Sequence, residues 1–190
     1  MHLRHATLAD IPEIERVIRD SIAGISVRTY DARQVASSLQ YIAHLDRELV
    51  TDGTYFVVEQ DREVAGEMTD DVSGEIVGCG GWSRRGRLYA GSGSAEGDAR
   101  FLDPSSEPAR VRAMFVSPRF ERRGIGRMIL QACEAEALAA GFREIELMAM
   151  LSGHALYLAS GYRDVEQVAG KLEDGTPYPM IRMRKRIRGA

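Results

Sequence analysis

Cysteine is scarce. The 190 residues hold two, Cys79 and Cys133, too few for a disulfide framework or for a zinc site built from thiolates alone. Both read as small buried hydrophobes. No apolar run approaches the ~20 residues that a membrane-spanning helix needs. The first ten residues carry charge but no apolar segment of the kind that directs secretion. Net charge is low as well: 25 Lys and Arg against 28 Asp and Glu give −3. That excludes a surface built throughout to hold nucleic acid or anionic lipid. His2, His5, His44 and His154 have no metal-ligand spacing. No internal repeat and no linker divides the chain. The expectation is one domain over residues 1–190, able to bury a core without metal or disulfide, in a reducing, cytoplasmic setting.

What is present is an alternation of strand and helix patterns. Residues 3–6 read as a short strand. Thr7 and Asp10 form a start resembling a capping box, and Ile11, Ile14, Val17, Ile18 and Ile22 recur at helical spacing. The helix is expected to run to about Ser21, with Gly24 breaking it. Asp31 caps a second helix with Val35, Leu39, Ile42 and Leu45 inward. Residues 54–59 and 74–82 are rich in β-formers and pair as antiparallel strands, joined by an exposed hairpin loop over 66–73. Residues 84–110 form a long loop, either a floppy insertion or a lid over a site. Then follow a strand at 111–116, a helix from the 122–127 segment to Gly141, an apolar strand at 144–150 and a short helix at 154–160. A hairpin of 165–172 and 180–187, turning at Asp174-Gly175, ends the chain. The order β-α-α-β-β-β-α-β-α-β-β describes an α/β chain with a mixed sheet.

One turn carries most of the chemistry. Arg122-Arg123-Gly124-Ile125-Gly126-Arg127 lies between a strand and a long helix. Its glycines let a ligand approach the backbone, and the unpaired N–H groups and dipole of the helix start favour an anion. Three arginines add positive charge, so a phosphate or diphosphate is the natural guest. A dinucleotide fingerprint would need a third glycine where Ile129 stands, and the Gly-Lys-Ser/Thr of a nucleotide-hydrolase loop is absent. A plain turn with solvated arginines is the alternative. Ser152-Gly153-His154 and Gly91-Ser92-Gly93-Ser94 lack the arrangements of a serine hydrolase. The tail from Ile181 to Arg188 alternates apolar residues with arginines. It reads as a solvated edge strand or, alternatively, as a basic stripe for nucleic acid.

Residues 111–118 (Val-Arg-Ala-Met-Phe-Val-Ser-Pro), followed by Glu121-Arg122-Arg123-Gly124-Ile125-Gly126, resemble the acetyl-CoA-binding motif of the GNAT superfamily of N-acetyltransferases. His154-Ala155-Leu156-Tyr157 through Gly161-Tyr162 resembles that family's later motif, a short helix with a tyrosine before Gly-Phe/Tyr. The likeness is strongest over 111–162. It implies the GNAT acyl-CoA N-acyltransferase fold, a mixed central sheet of about six to seven strands flanked by helices. It also implies an acetyl-CoA-dependent enzyme with no metal. Met114, Phe115 and Val116 would pair with the pantetheine arm as an added strand, one of their N–H groups facing the thioester oxygen. Arg122, Arg123, Gly124, Ile125, Gly126 and Arg127 would hold the diphosphate. Tyr157 would protonate the leaving thiolate after direct attack by an amine in a ternary complex. Glu121 replaces the family's Arg or Gln and is expected to point outward. Glu59, Glu75 or a water chain could serve as base, and Tyr30, Trp82 and Ser83 could line the acceptor site. The implied partner is a small-molecule or peptide amine, with no nucleic acid or membrane, and with a homodimer possible. A non-catalytic acyl-CoA sensor and a nucleic-acid binder are the alternatives.

Overall fold

Burying isoleucines at helical spacing starts the assembly. Ile14, Val17, Ile18 and Ile22 are at most 1% exposed, each such side chain contributing about 1.5–3 kcal/mol of transfer free energy. The computed structural model describes residues 1–60, 74–88 and 100–188; the expected hairpin loop at 66–73 and the centre of the 84–110 loop lie outside them. The element order is β1 (His2–His5), α1 (Ile11–Ile25), α2 (Ala32–Tyr41), α3 (Arg47–Thr51), β2 (Tyr55–Gln60), β3 (Glu75–Ser83), β4 (Ala109–Val116), α4 (Ile125–Ala139), β5 (Glu144–Met150), α5 (His154–Ala159), β6 (Arg163–Lys171) and β7 (Pro177–Arg186).

The seven strands form one mixed sheet in the order β1-β2-β3-β4-β5-β7-β6. All neighbours are antiparallel except β4 and β5. The β4–β5 ladder is short, pairing Ala109 with Ile145, Arg110 with Glu146 and Val111 with Leu147. Beyond Val111 the two strands part.

Each face of the sheet has its own core. One gathers Val58, Val77, Ile125, Ile129, Cys133, Ile145 and Leu147 beneath α4. The other gathers Ile14, Ile18, Ile22, Val35, Tyr55, Val57, Cys79 and Tyr178 beneath α1 and α2. Glycines on β3 bring α4 close: a Cβ at Gly78 would collide with the Ile125 side chain, and one at Gly80 would lie 3.0 Å from Ile129 Cγ2. A glycine inside a strand marks such an approach.

Several boundaries differ from the sequence expectation. The Thr7/Asp10 capping box exists but opens a 3-10 turn at Leu8–Asp10. Helix α1 continues through Gly24 to Ile25. Gly24 is there for closeness: its Cβ would lie 2.5 Å from Pro118 Cγ. Helix α3 was not foreseen; Asp46 caps it, accepting from the Glu48 N–H at 3.1 Å. The ends of the long loop zip together, with an Arg85–Phe101 bridge and Leu102 buried. The tail is not an edge strand, since β7 lies between β5 and β6. Its inward residues, Ile181, Met183 and Ile187, are buried. Its arginines meet carboxylates: Arg182 with Glu166, Arg184 with Glu146 and Arg186 with Glu144. That pairing removes most of the basic stripe.

Candidate active site

The parting of β4 from β5 opens a cavity of about 520 Å³. Its geometry begins with a bulge. Arg112 pairs with Gly81 and Phe115 with Cys79, so Ala113 and Met114 together stand opposite Gly80. Ala113 takes a left-handed φ of 52°, uncommon for a residue with a Cβ. A buried hydroxyl supports it, Tyr55 Oη donating to the Ala113 carbonyl at 2.7 Å. Such bulges bend a strand and re-aim its side chains. Here the edge of β4 that faces β5 is left without a strand partner from Arg112 to Val116.

β4 leads through Ser117, Pro118 and a 3-10 turn into the start of α4. Gly124 is the N-cap of that helix with φ 84°. It therefore offers no side-chain cap, and the first N–H groups of α4 face the cavity mouth without an intrahelical acceptor. Gly124, Ile125, Gly126, Arg122 and Arg127 line the cavity, as do Met114, Phe115 and Val116. Arg123 does not; its guanidinium sits over the Phe120 ring, 5.0 Å from the centroid. Glu121 is in the wall but is held by Arg28, whose two terminal nitrogens donate to its oxygens at 3.0 and 2.7 Å. The acid is thus paired rather than turned away.

Tyr157 comes from α5, which packs beside the N-terminus of α4. It is 7% exposed and lines the cavity. Its ring meets Tyr162 edge-on at 5.8 Å. Burial pushes its phenol well above the usual value, so it stays protonated across the working pH range. Burial also pushes the Cys79 thiol up to about 12, which removes it as a nucleophile.

Other expected residues stand elsewhere. Glu59 is bound by Arg4, and Glu75 lies 3.5 Å from Arg119 and 3.8 Å from Arg16; neither lines the cavity. Trp82 is on the α4 face, donating to Glu136 at 2.8 Å. Ser83 is buried and accepts from the Arg85 N–H. Tyr30 acts from behind the wall: it stacks on Tyr178 at 4.3 Å, donates to the Pro179 carbonyl and accepts from the Leu151 N–H. The cavity lining includes instead Ile42, His44, Leu88, Arg112, Met148 and Tyr178. Sequence pattern did not bring these together as a site, because they converge only once α2, β4, β5 and β7 are in register. Among the described residues no group of His, Cys, Asp and Glu is placed to hold a metal ion. Nor is any helix there long and apolar enough to cross a membrane.

The unpaired edge of β4 and the first turn of α4 thus border one cavity. Solved structures of the same fold include a GCN5-related N-acetyltransferase from Rhodopseudomonas palustris, with TM-score 0.64 and 15% identity over 98% of this chain and 95% of that one. The ribosomal-protein-alanine N-acetyltransferase from Brucella melitensis aligns with TM-score 0.59 and 19% identity, over 98% of this chain and 100% of that one. The PaiA N-acetyltransferase from Thermoplasma acidophilum, solved with coenzyme A, aligns with TM-score 0.59 and 13% identity, over 97% and 98%. A search of curated proteins gave no match. Residues 21–162 match the acetyltransferase (GNAT) family, and the chain belongs to that family.

Proposed function

We propose that the chain is an acetyl-CoA-dependent N-acetyltransferase that passes the acetyl group directly to an amine. The observation that carries this reading is the continuity of one cavity: the free edge of β4, the left-handed Gly124 and the buried Tyr157 all border it. Acetyl-CoA would supply an activated thioester. The edge at Met114–Val116 would take its pantetheine arm as an added strand. An N–H of that edge, freed by the bulge, would face the thioester oxygen where negative charge develops. The first turn of α4 would hold the diphosphate, with Arg122 and Arg127 beside it. Tyr157 would give its proton to the departing sulfur. The amine would lose its own proton to water or to His44 in the cavity lining.

Acetyl-CoA titration by calorimetry, followed by thiol release across a panel of amines, tests the reading. Saturable binding with release on an amine is the expected result. Binding without release on any amine would leave an acyl-CoA sensor, and absence of binding would overturn the assignment of the glycine turn.

A further inference from the structure

On the α1–α2 face of the sheet, three adjacent strands carry two consecutive cross-strand rows. In the first, Glu146 of β5 is in register with Arg110 of β4 and Arg184 of β7. Its carboxylate, 4% exposed, accepts from Arg110 Nη1 at 2.6 Å and from Arg184 Nε at 3.1 Å. The next row toward the cavity repeats the arginines but not the acid. Met148 is paired with Arg182, and Arg112 follows the last β4–β5 pair on the same face. Met148 and Arg112 line the cavity, and Arg182 lies beside Met148 on β7 just outside that lining.

The guanidinium groups of this second row are incompletely used. The Arg112 side chain is 4% exposed and gives Nη2 to Asp46 Oδ2 at 3.0 Å, an oxygen it shares with Arg87. Arg182 gives Nη2 to Glu166 at 2.9 Å. The Nε of each is buried without a hydrogen-bond partner, as is that of Arg110 in the first row, which is unfavourable for a charged donor; what sets the second row apart is the apolar Met148 where the first has Glu146. Arg87, Arg112 and Arg182 thus share two carboxylates, Asp46 and Glu166. Among the described residues the one acid in the cavity wall, Glu121, belongs to the glycine turn and is paired with Arg28.

We propose that the amine acceptor carries a carboxylate, which sits over Met148 between Arg112 and Arg182 as Glu146 sits between Arg110 and Arg184. This rests on the N-acetyltransferase reading and narrows its substrate class to carboxylated amines. Polycationic amines are disfavoured, since the described residues of this wall offer a second ammonium no free acid.

The test is calorimetric titration with glutarate as the carboxylate probe and 1,5-diaminopentane as a dication of similar length, on the free and the CoA-saturated protein. Glutarate should bind and the diamine should not. Met148→Glu supplies the missing acid internally and should abolish glutarate binding. Arg182→Met, which leaves the strand pairing intact, should weaken it about tenfold, the loss of one charge-assisted hydrogen bond. CoA affinity of each variant reports folding. Failure of glutarate to bind either form, equal binding of the diamine, or undiminished glutarate binding by Met148→Glu would overturn the proposal. Glutarate binding without CoA binding would instead overturn the acetyltransferase reading and keep the carboxylate site.

Discussion

The Tyr55 hydroxyl donates to the Ala113 carbonyl at 2.7 Å, joining the first residue of β2 to the bulge of β4 across the strand between them. Tyr55 is fully buried, so the bond is shielded from water and holds Ala113 in its left-handed conformation. The bulge in turn frees the strand edge on which the proposed thioester site depends. Tyr55→Phe would leave the carbonyl unpaired, at about 1–3 kcal/mol. In a chain of this size each kcal/mol lowers Tm by about 2–4 °C. A lower Tm by thermal denaturation and severalfold weaker acetyl-CoA binding are expected together; an unchanged Tm would mean that the bulge needs no tether.

Gly126→Glu separates binding from folding. A Cβ there comes close only to Leu156 Cδ2, at 2.9 Å, the movable end of a side chain, with Val116 Cγ2 in ordinary contact at 3.9 Å. A carboxylate in the first turn of a helix is itself favourable to the helix. Circular dichroism should therefore be retained while acetyl-CoA affinity falls by about a hundredfold or more, since the added charge occupies the anion site and repels a diphosphate.

Tyr157→Phe should leave acetyl-CoA affinity intact and lower kcat by about 10²–10⁴-fold, the usual contribution of a general acid. Burial raises the phenol above its ordinary value. The protonated form, which is the active one, therefore persists past pH 10, and the wild-type rate should show no alkaline loss between pH 8 and 10 from this group. Unchanged turnover in the variant would reduce Tyr157 to packing against Tyr162.

At the far edge of the sheet, Arg4 donates to both oxygens of Asp10 at 2.8 Å. The Arg4 guanidinium, with further hydrogen bonds from Thr7, holds the Asp10 carboxyl down at about 2. A depressed acid contributes stability that is complete above its unfolded value near 4 and is lost as pH falls through its folded value. Asp10→Asn should therefore be less stable than wild type at pH 6, with the gap closing between pH 4 and 2. Urea denaturation at a series of pH values reads this directly; a gap that persists at pH 2 would point to a lost cap instead.

The parts of the fold legible in the sequence are those fixed by local pattern. The isoleucine spacing of α1, the strand at 111–116, the turn at Gly124, the strand at 144–150 and the helix carrying Tyr157 all stand where their own residues put them. What depends on register was hidden. The hairpin of β6 and β7 is written in Asp174-Gly175, but nothing local says which arm joins β5, and so the tail was misplaced at the edge. Arg112 and Met148 are unremarkable until two strands that pair for three residues diverge. The glycines of β3 were a missed signal: Gly78, Gly80 and Gly81 within one strand announce a close neighbour.

Those glycines have a consequence for the proposed co-substrate. Helix α4 rests on β3 at the positions where Gly78 and Gly80 present no side chain to Ile125 and Ile129. The depth at which the diphosphate would lie relative to the β4 edge is therefore set from beneath, by two absent methyl groups on a strand none of whose residues lines the cavity. A substitution there would act as a shim, lifting one anchoring point of a long molecule while leaving the other in place.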